Sequence, residues 1–132
     1  LNLDHFVSAA AIALNVPEGT AALMVTVGLA ESALAAPAAG FGDYEKYPEF
    51  VDKVAIMLQR IASNHSLPDG NKRTALICAI AFANLNGWDW IPPEADLDDG
   101  KETDEVVRAA TAGTVPFPAL SAWVALRLKR VR

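Results

Sequence analysis

From Phe50 onward the apolar positions Phe50, Val54, Met57, Leu58 and Ile61 recur at i, i+4, i+7, i+8 and i+11, with Asp52, Lys53, Gln59 and Arg60 between them. That rhythm is one face of a helix. Extending it by four puts His65 on the same inward stripe, where "LPDG" breaks the helix, so the pattern predicts a histidine facing other protein. The stretch from about Asn71 to Asn86 is apolar almost all round in "ALICAIAFA" and predicts a central helix enclosed by others, ended by Gly87.

Upstream, Asp4 is the expected cap of a helix through "HFVSAAAIAL", which the Pro and Gly of "NVPEG" stop. A second helix is expected from about Thr20 to Ala36, ending at Pro37. Residues 37 to 49 place two prolines and two glycines among aromatics, the signature of an irregular or hairpin segment at the surface. Beyond the central helix come "WDWIPPEADLDDG", a loop or short strand, a helix near Lys101 to Ala112, and a last helix across "FPALSAWVALRLKR". The expectation is an all-α fold in a single domain over residues 1–132, without internal repeats.

Composition agrees with this outline: 52% of the 132 residues are hydrophobic and 20% charged, a folded chain with enough length for a core. The net charge of −5 argues against direct nucleic-acid binding, which needs a basic face. Four of the eleven cations, Arg127, Lys129, Arg130 and Arg132, crowd the end of the chain, where a solvated helix terminus is expected to place them at the favourable pole of its dipole. Cys78 is the single cysteine, and its apolar surroundings predict a buried thiol and a reducing, cytoplasmic setting. Residues 21 to 41 are nearly uncharged, yet Glu31 lies mid-span, and one central acid costs about 2.5–3.5 kcal/mol on insertion. No membrane span is expected, and no secretory lead segment is visible.

The chemistry concentrates in "NHSLPDGNKRTAL", residues 64 to 76. Lys72 and Arg73 fall in the expected first turn of the central helix, where free N–H groups already carry roughly half a positive charge. Each such contact costs about 0.3–1 kcal/mol at an exposed site, so keeping both cations there points to an anion. Gly70 and Asn71 accept the backbone geometry that turns N–H groups inward as a phosphate nest. Asp69 can hold Mg²⁺, which prefers one or two carboxylates together with phosphate and water. His65 stands four residues earlier as the candidate general base toward a substrate hydroxyl.

The run "HSLPDGNKR" resembles the signature of the Fic/Doc family, His-x-Phe-x-Asp/Asn-Gly-Asn-Gly/Lys-Arg, matching six of its seven specified positions. The likeness continues in "GLAESALAAP", similar to a run of the Doc (death on curing) toxin branch, and in "YPEFVDKVA". It implies a Fic-fold helical bundle with a flap near residues 37–47, an ATP-type nucleotide with Mg²⁺, and attack by a protein hydroxyl on a phosphate. By matching positions, His65 is the implied base, Asp69 the metal ligand, Gly70 and Asn71 the anion nest, and Lys72 and Arg73 catalytic phosphate contacts.

Members with Gly at position 72 typically transfer AMP, whereas the Doc branch, with Lys, moves the terminal phosphate to a threonine of elongation factor Tu and halts translation. A toxin of that type is the implied function, with AMP transfer or a non-catalytic binding module as alternatives. No self-inhibitory helix signature is found, which implies a separate small antitoxin (Phd-like) as partner, expected around the second helix and the flap. Two positions depart from the family: Leu67 replaces Phe, predicting a more loosely held loop, and Ala36 replaces Arg, removing a cation near the flap. Two rival readings are weaker. "EADLDDG" lacks EF-hand spacing and is expected to be a solvated acidic loop, and Trp88 and Trp90 are expected to cap a core edge rather than stack a base.

Overall fold

The computed structural model describes residues 1–94 and 100–131, and among these it holds seven α-helices and two small antiparallel two-stranded sheets. The most of the acidic segment considered for calcium lies outside the described residues. The long amphipathic helix, α4 (Phe50–Ser63), forms as its periodicity predicts. Its Val54, Met57, Leu58 and Ile61 are at most 1% exposed. It packs most extensively on α5 (Asn71–Leu85) and also meets α3 (Val27–Ala35), α6 (Lys101–Ala112) and α7 (Phe117–Arg127). The hub is therefore α4, not the all-apolar α5. Helix α5 keeps Ala75, Cys78 and Ala79 in the core, but Leu76 and Ile80 line a cavity on its flank and Leu85 is exposed.

Three other expectations are corrected. Helix α1 (Leu3–Leu14) is capped by Asn2 rather than Asp4: the Asn2 side chain accepts from the His5 N–H, and His5 Nδ1 accepts from the Asn2 N–H, a reciprocal box that leaves Asp4 in the first turn. The single helix expected from Thr20 to Ala36 is two, α2 (Glu18–Met24) and α3, broken at Val25 and Thr26. The extended backbone there lets the Thr26 N–H donate to the Ser66 carbonyl at 2.7 Å, a tertiary bond that a continuous helix would forfeit.

The last helix stops at Arg127, and Leu128–Arg130 becomes a strand, β4, paired antiparallel with β3 (Trp88–Trp90) in the register Trp88↔Arg130, Asp89↔Lys129, Trp90↔Leu128. Two of the terminal cations, Arg127 and Arg130, are thus held against the protein instead of being solvated at a helix end, while Lys129 is exposed and Arg132 lies outside the described residues. Arg127 is nearly buried, 3.6 Å from Glu102 and over the Trp123 ring, and Arg130 lies over Trp88. The tryptophans do close a core edge, Trp88 stacking on Phe50 and Trp90 meeting Trp123 edge-on.

Residues 37 to 49 contain the expected hairpin, β1 (Gly40–Phe41) and β2 (Tyr44–Glu45), reached from α3 through a short 3₁₀ turn, Ala36–Ala38. Gly40 is required because a Cβ there would stand 2.1 Å from the Tyr44 carbonyl oxygen. Lys53 of α4 fastens the hairpin's foot, donating to the Pro37 carbonyl and pairing with Glu45, each at 3.2 Å. Ala36 is buried, so the cation at this point of the fold is Lys53. No single helix among the described residues is long and apolar enough to cross a membrane.

Candidate functional site

Helix α4 ends at Ser63, and the chain then enters the loop that carries the histidine. Both sides of His65 are tied down. The Asn64 amide donates to the Leu29 carbonyl on α3 at 2.8 Å, the Ser66 carbonyl takes the Thr26 bond, and Leu67 is 3% exposed in the core. His65 itself has φ +54, left-handed backbone that a non-glycine residue adopts at a cost of about 1–3 kcal/mol when its surroundings hold it there. That inversion breaks the helical rhythm. The inward histidine of the periodicity argument is overturned: the side chain is exposed and lines a polar cleft.

With leucine in place of the family's phenylalanine, the loop is still anchored. Besides its burial, Leu67 has both backbone polar groups engaged by the Asn71 side chain, its N–H donating to Oδ1 at 3.1 Å and its carbonyl accepting from Nδ2 at 2.9 Å. Asn71 thus staples the loop, and its backbone N–H stands at the start of α5 for an incoming anion. Gly70, at φ +76, caps α5 with left-handed backbone that favours glycine, and a Cβ on it would come 3.0 Å from Leu14 Cδ2, so the packing leaves little room for a larger residue.

The first intrahelical bond of α5 runs from the Thr74 N–H to the Gly70 carbonyl, which leaves the N–H groups of Asn71, Lys72 and Arg73 at the helix's positive pole. The first turn carries no acid, and Lys72 and Arg73 both line the cleft. Arg73 is also held from behind, its Nη1 donating to the Ala13 carbonyl in the last turn of α1 at 2.8 Å.

The candidate catalytic, anion-binding and metal-binding residues named from the sequence therefore meet in one cavity of about 360 Å³: His65, Asp69, Gly70, Asn71, Lys72 and Arg73. The opposite wall was not foreseen. It is a face of α6 presenting Asp104, Arg108 and Thr111, whose i, i+4, i+7 spacing and the charge pair of opposite sign were the available signal. Beside this cleft, and sharing Lys72, Arg73 and Asp104 with it, lies a second cavity of about 320 Å³ walled by Leu76, Ile80, Trp90 and Val107.

The arrangement can bind an anion on backbone donors and two cations, place an imidazole near it, and offer an apolar slot alongside. Among the described residues no group of three or more carboxylate, histidine or cysteine ligands could hold a metal by itself. Asp69, exposed in the cleft, fits an ion that arrives with phosphate and water as its other ligands.

The Fic/DOC family model matches residues 2–83. Toxin Doc of Mycolicibacterium smegmatis (strain ATCC 700084 / mc(2)155) is 40% identical over 84 residues, a match that spans 64% of this chain and 62% of that protein's length. No solved structure matches. With a family model covering more than half of its residues, the His65 loop and the start of α5 included, the chain belongs to the Fic/DOC family.

Proposed function

We propose that the cleft binds an ATP-type nucleotide and that the chain is a Doc-type toxin, transferring the terminal phosphate to a protein hydroxyl. The observation that carries this reading is the convergence, in one cavity, of an exposed His65 with the N–H pole of α5 and its two cations. The adjoining apolar slot, walled in part by Trp90, supports a nucleotide over a bare phosphate because it suits a base.

In the proposed reaction the phosphates lie on the N–H groups of Asn71 to Arg73 with Lys72 and Arg73 against their oxygens. His65 takes the proton of the incoming hydroxyl, the hydroxyl oxygen forms a bond to the terminal phosphorus, and the bridging oxygen leaves with ADP, keeping the electron pair of the broken bond. Asp69 would hold the Mg²⁺ that accompanies nucleotide phosphates and supplies charge neutralisation when bound. Lys72 lines both cavities, at the boundary between the anion cradle and the apolar slot, where a glycine would leave space and no charge.

By similarity to Toxin Doc, the proposed setting is a toxin–antitoxin pair. A threonine of elongation factor Tu is the proposed acceptor, which places the action in the cytoplasm. The restraining antitoxin is proposed to cover the apolar residues left outside on α2 and the hairpin, Leu23 and Phe41, each 89% exposed. Incubating the protein and elongation factor Tu with ATP labelled at the γ or the α position tests the reaction. The γ label alone should reach the target and should vanish with His65→Ala. Transfer of the α label would establish AMP transfer instead, and toxicity undiminished by His65→Ala would establish a non-catalytic role.

A further inference from the structure

The polar cleft has two walls, and the His65 loop with the start of α5 makes only one of them. Across from the N-terminus of α5, helix α6 turns Asp104, Arg108 and Thr111 toward the same space. The Arg108 Nε–H donates to Asp104 Oδ2 at 2.7 Å, one helical turn away, with side chains 64% and 55% exposed. This bond raises the pKa of the guanidinium further, so it stays charged at any working pH.

A pair so exposed contributes little to holding the fold together. Its geometry matters more. A guanidinium has five N–H donors in a planar fork, and the contacts described for Arg108 engage only Nε. With the stem fixed through Nε, the two terminal amino groups are the donors left for an occupant of the cleft. The charge balance points the same way: three cations, Lys72, Arg73 and Arg108, face two carboxylates, Asp69 and Asp104, in a cavity of a chain whose net charge is −5. Each guanidinium is braced by a protein acceptor, Arg73 by the Ala13 carbonyl and Arg108 by Asp104, so less side-chain freedom is lost when a ligand arrives.

We propose that Arg108 is a third phosphate-binding residue, gripping from the α6 side the part of a nucleotide polyphosphate that the α5 N-terminus does not reach, and thereby selecting polyphosphates over monophosphates. This rests on the nucleotide reading of the cleft. The α5 pole is one cradle of limited extent, whereas a chain of phosphates must cross the cavity, and Arg108 stands on its far side.

Calorimetric titration of the whole chain with ATP and with AMP, Mg²⁺ present, tests it. Arg108→Ala and Arg108→Gln should each weaken ATP binding by about tenfold, the loss of one charge-assisted contact, and leave AMP binding as in the unaltered protein. Arg108→Lys should recover part of the preference, because it restores charge without the fork. Thermal melts should be unchanged in all three, since the side chain is exposed. If the unaltered protein prefers ATP and the Arg108 variants keep that preference, the role of Arg108 is overturned while the nucleotide reading stands. If the unaltered protein binds neither nucleotide, the nucleotide reading falls and takes Arg108 with it.

Discussion

Two groups of cations in this acidic chain come to opposite uses. At the C-terminus, Arg127 is drawn inside, against Glu102 and over Trp123, and Arg130 covers Trp88 on a paired strand. At the start of α5, Lys72 and Arg73 stand at a helix pole that repels them, facing a cleft. The first group closes a seam between α6, α7 and the β3–β4 pair. The second remains poorly compensated by the protein itself, and that deficit is what an anionic ligand would fill. Cations mark a binding site when the fold has aimed them into a cleft, not simply when they cluster or lack acceptors: Arg127 has Nε and Nη1 buried without a hydrogen-bond partner, yet it faces ring and carboxylate rather than a cavity.

The largest effect that would break this contrast is at His65. Replacing it with Ala should lower phosphate transfer by about 10²–10⁴-fold, the range for a lost general base, with the melting temperature preserved because the ring is exposed. Next comes the device that aims the cleft. Leu67→Ala should destabilise the fold by about 2–4 kcal/mol in denaturant unfolding, as expected for truncating a buried leucine.

The two cation groups themselves should then separate cleanly. Lys72→Ala should weaken ATP binding about tenfold without lowering stability. Arg127→Ala should lower stability by about 1–2 kcal/mol, a modest loss because Glu102 is 40% exposed, and leave nucleotide affinity alone. An Arg127 variant that loses ATP, or a Lys72 variant that unfolds, would erase the distinction.

An effect of the same order as that at Arg127 is expected in the core, on α5. Burial pushes the Cys78 thiol up to about 12, while an unfolded thiol ionises near about 8.5. Between those values the folded state holds a proton that the unfolded state has released, so the contribution to stability is complete below the lower value and declines as pH rises. Denaturant unfolding at pH 8 and pH 10 should show a steeper loss for the natural chain than for Cys78→Ala.

Much of this was legible in the residues. The spacing of Phe50 to Ile61 announced α4 because a buried face imposes its period, and the misplaced cations at 72 and 73 drew attention to the cleft they line because the helix pole is a local property of the backbone. Where reading failed, long-range contacts had decided. His65 was placed inward by extrapolating a rhythm that one left-handed residue interrupts, and nothing in the periodicity registers that inversion. The break between α2 and α3 depends on Thr26 reaching Ser66, forty residues along the chain. The strand at 128–130 depends on Trp88–Trp90 offering it an edge. Asp104 and Arg108 were visible as a helical pair, but only the packing of α6 on α4 turns them toward the histidine loop.

The bond from Arg73 to Ala13 makes α1 a ruler for the cleft. A carbonyl's direction follows the phase of its helix, so inserting or deleting one residue within α1 would swing the acceptor by about 100° while leaving the composition of that helix almost unchanged. The guanidinium would lose its brace, and the second cation its fixed position. For this part of the molecule, the count of residues between Asn2 and Ala13 matters more than which small apolar side chains fill the interval.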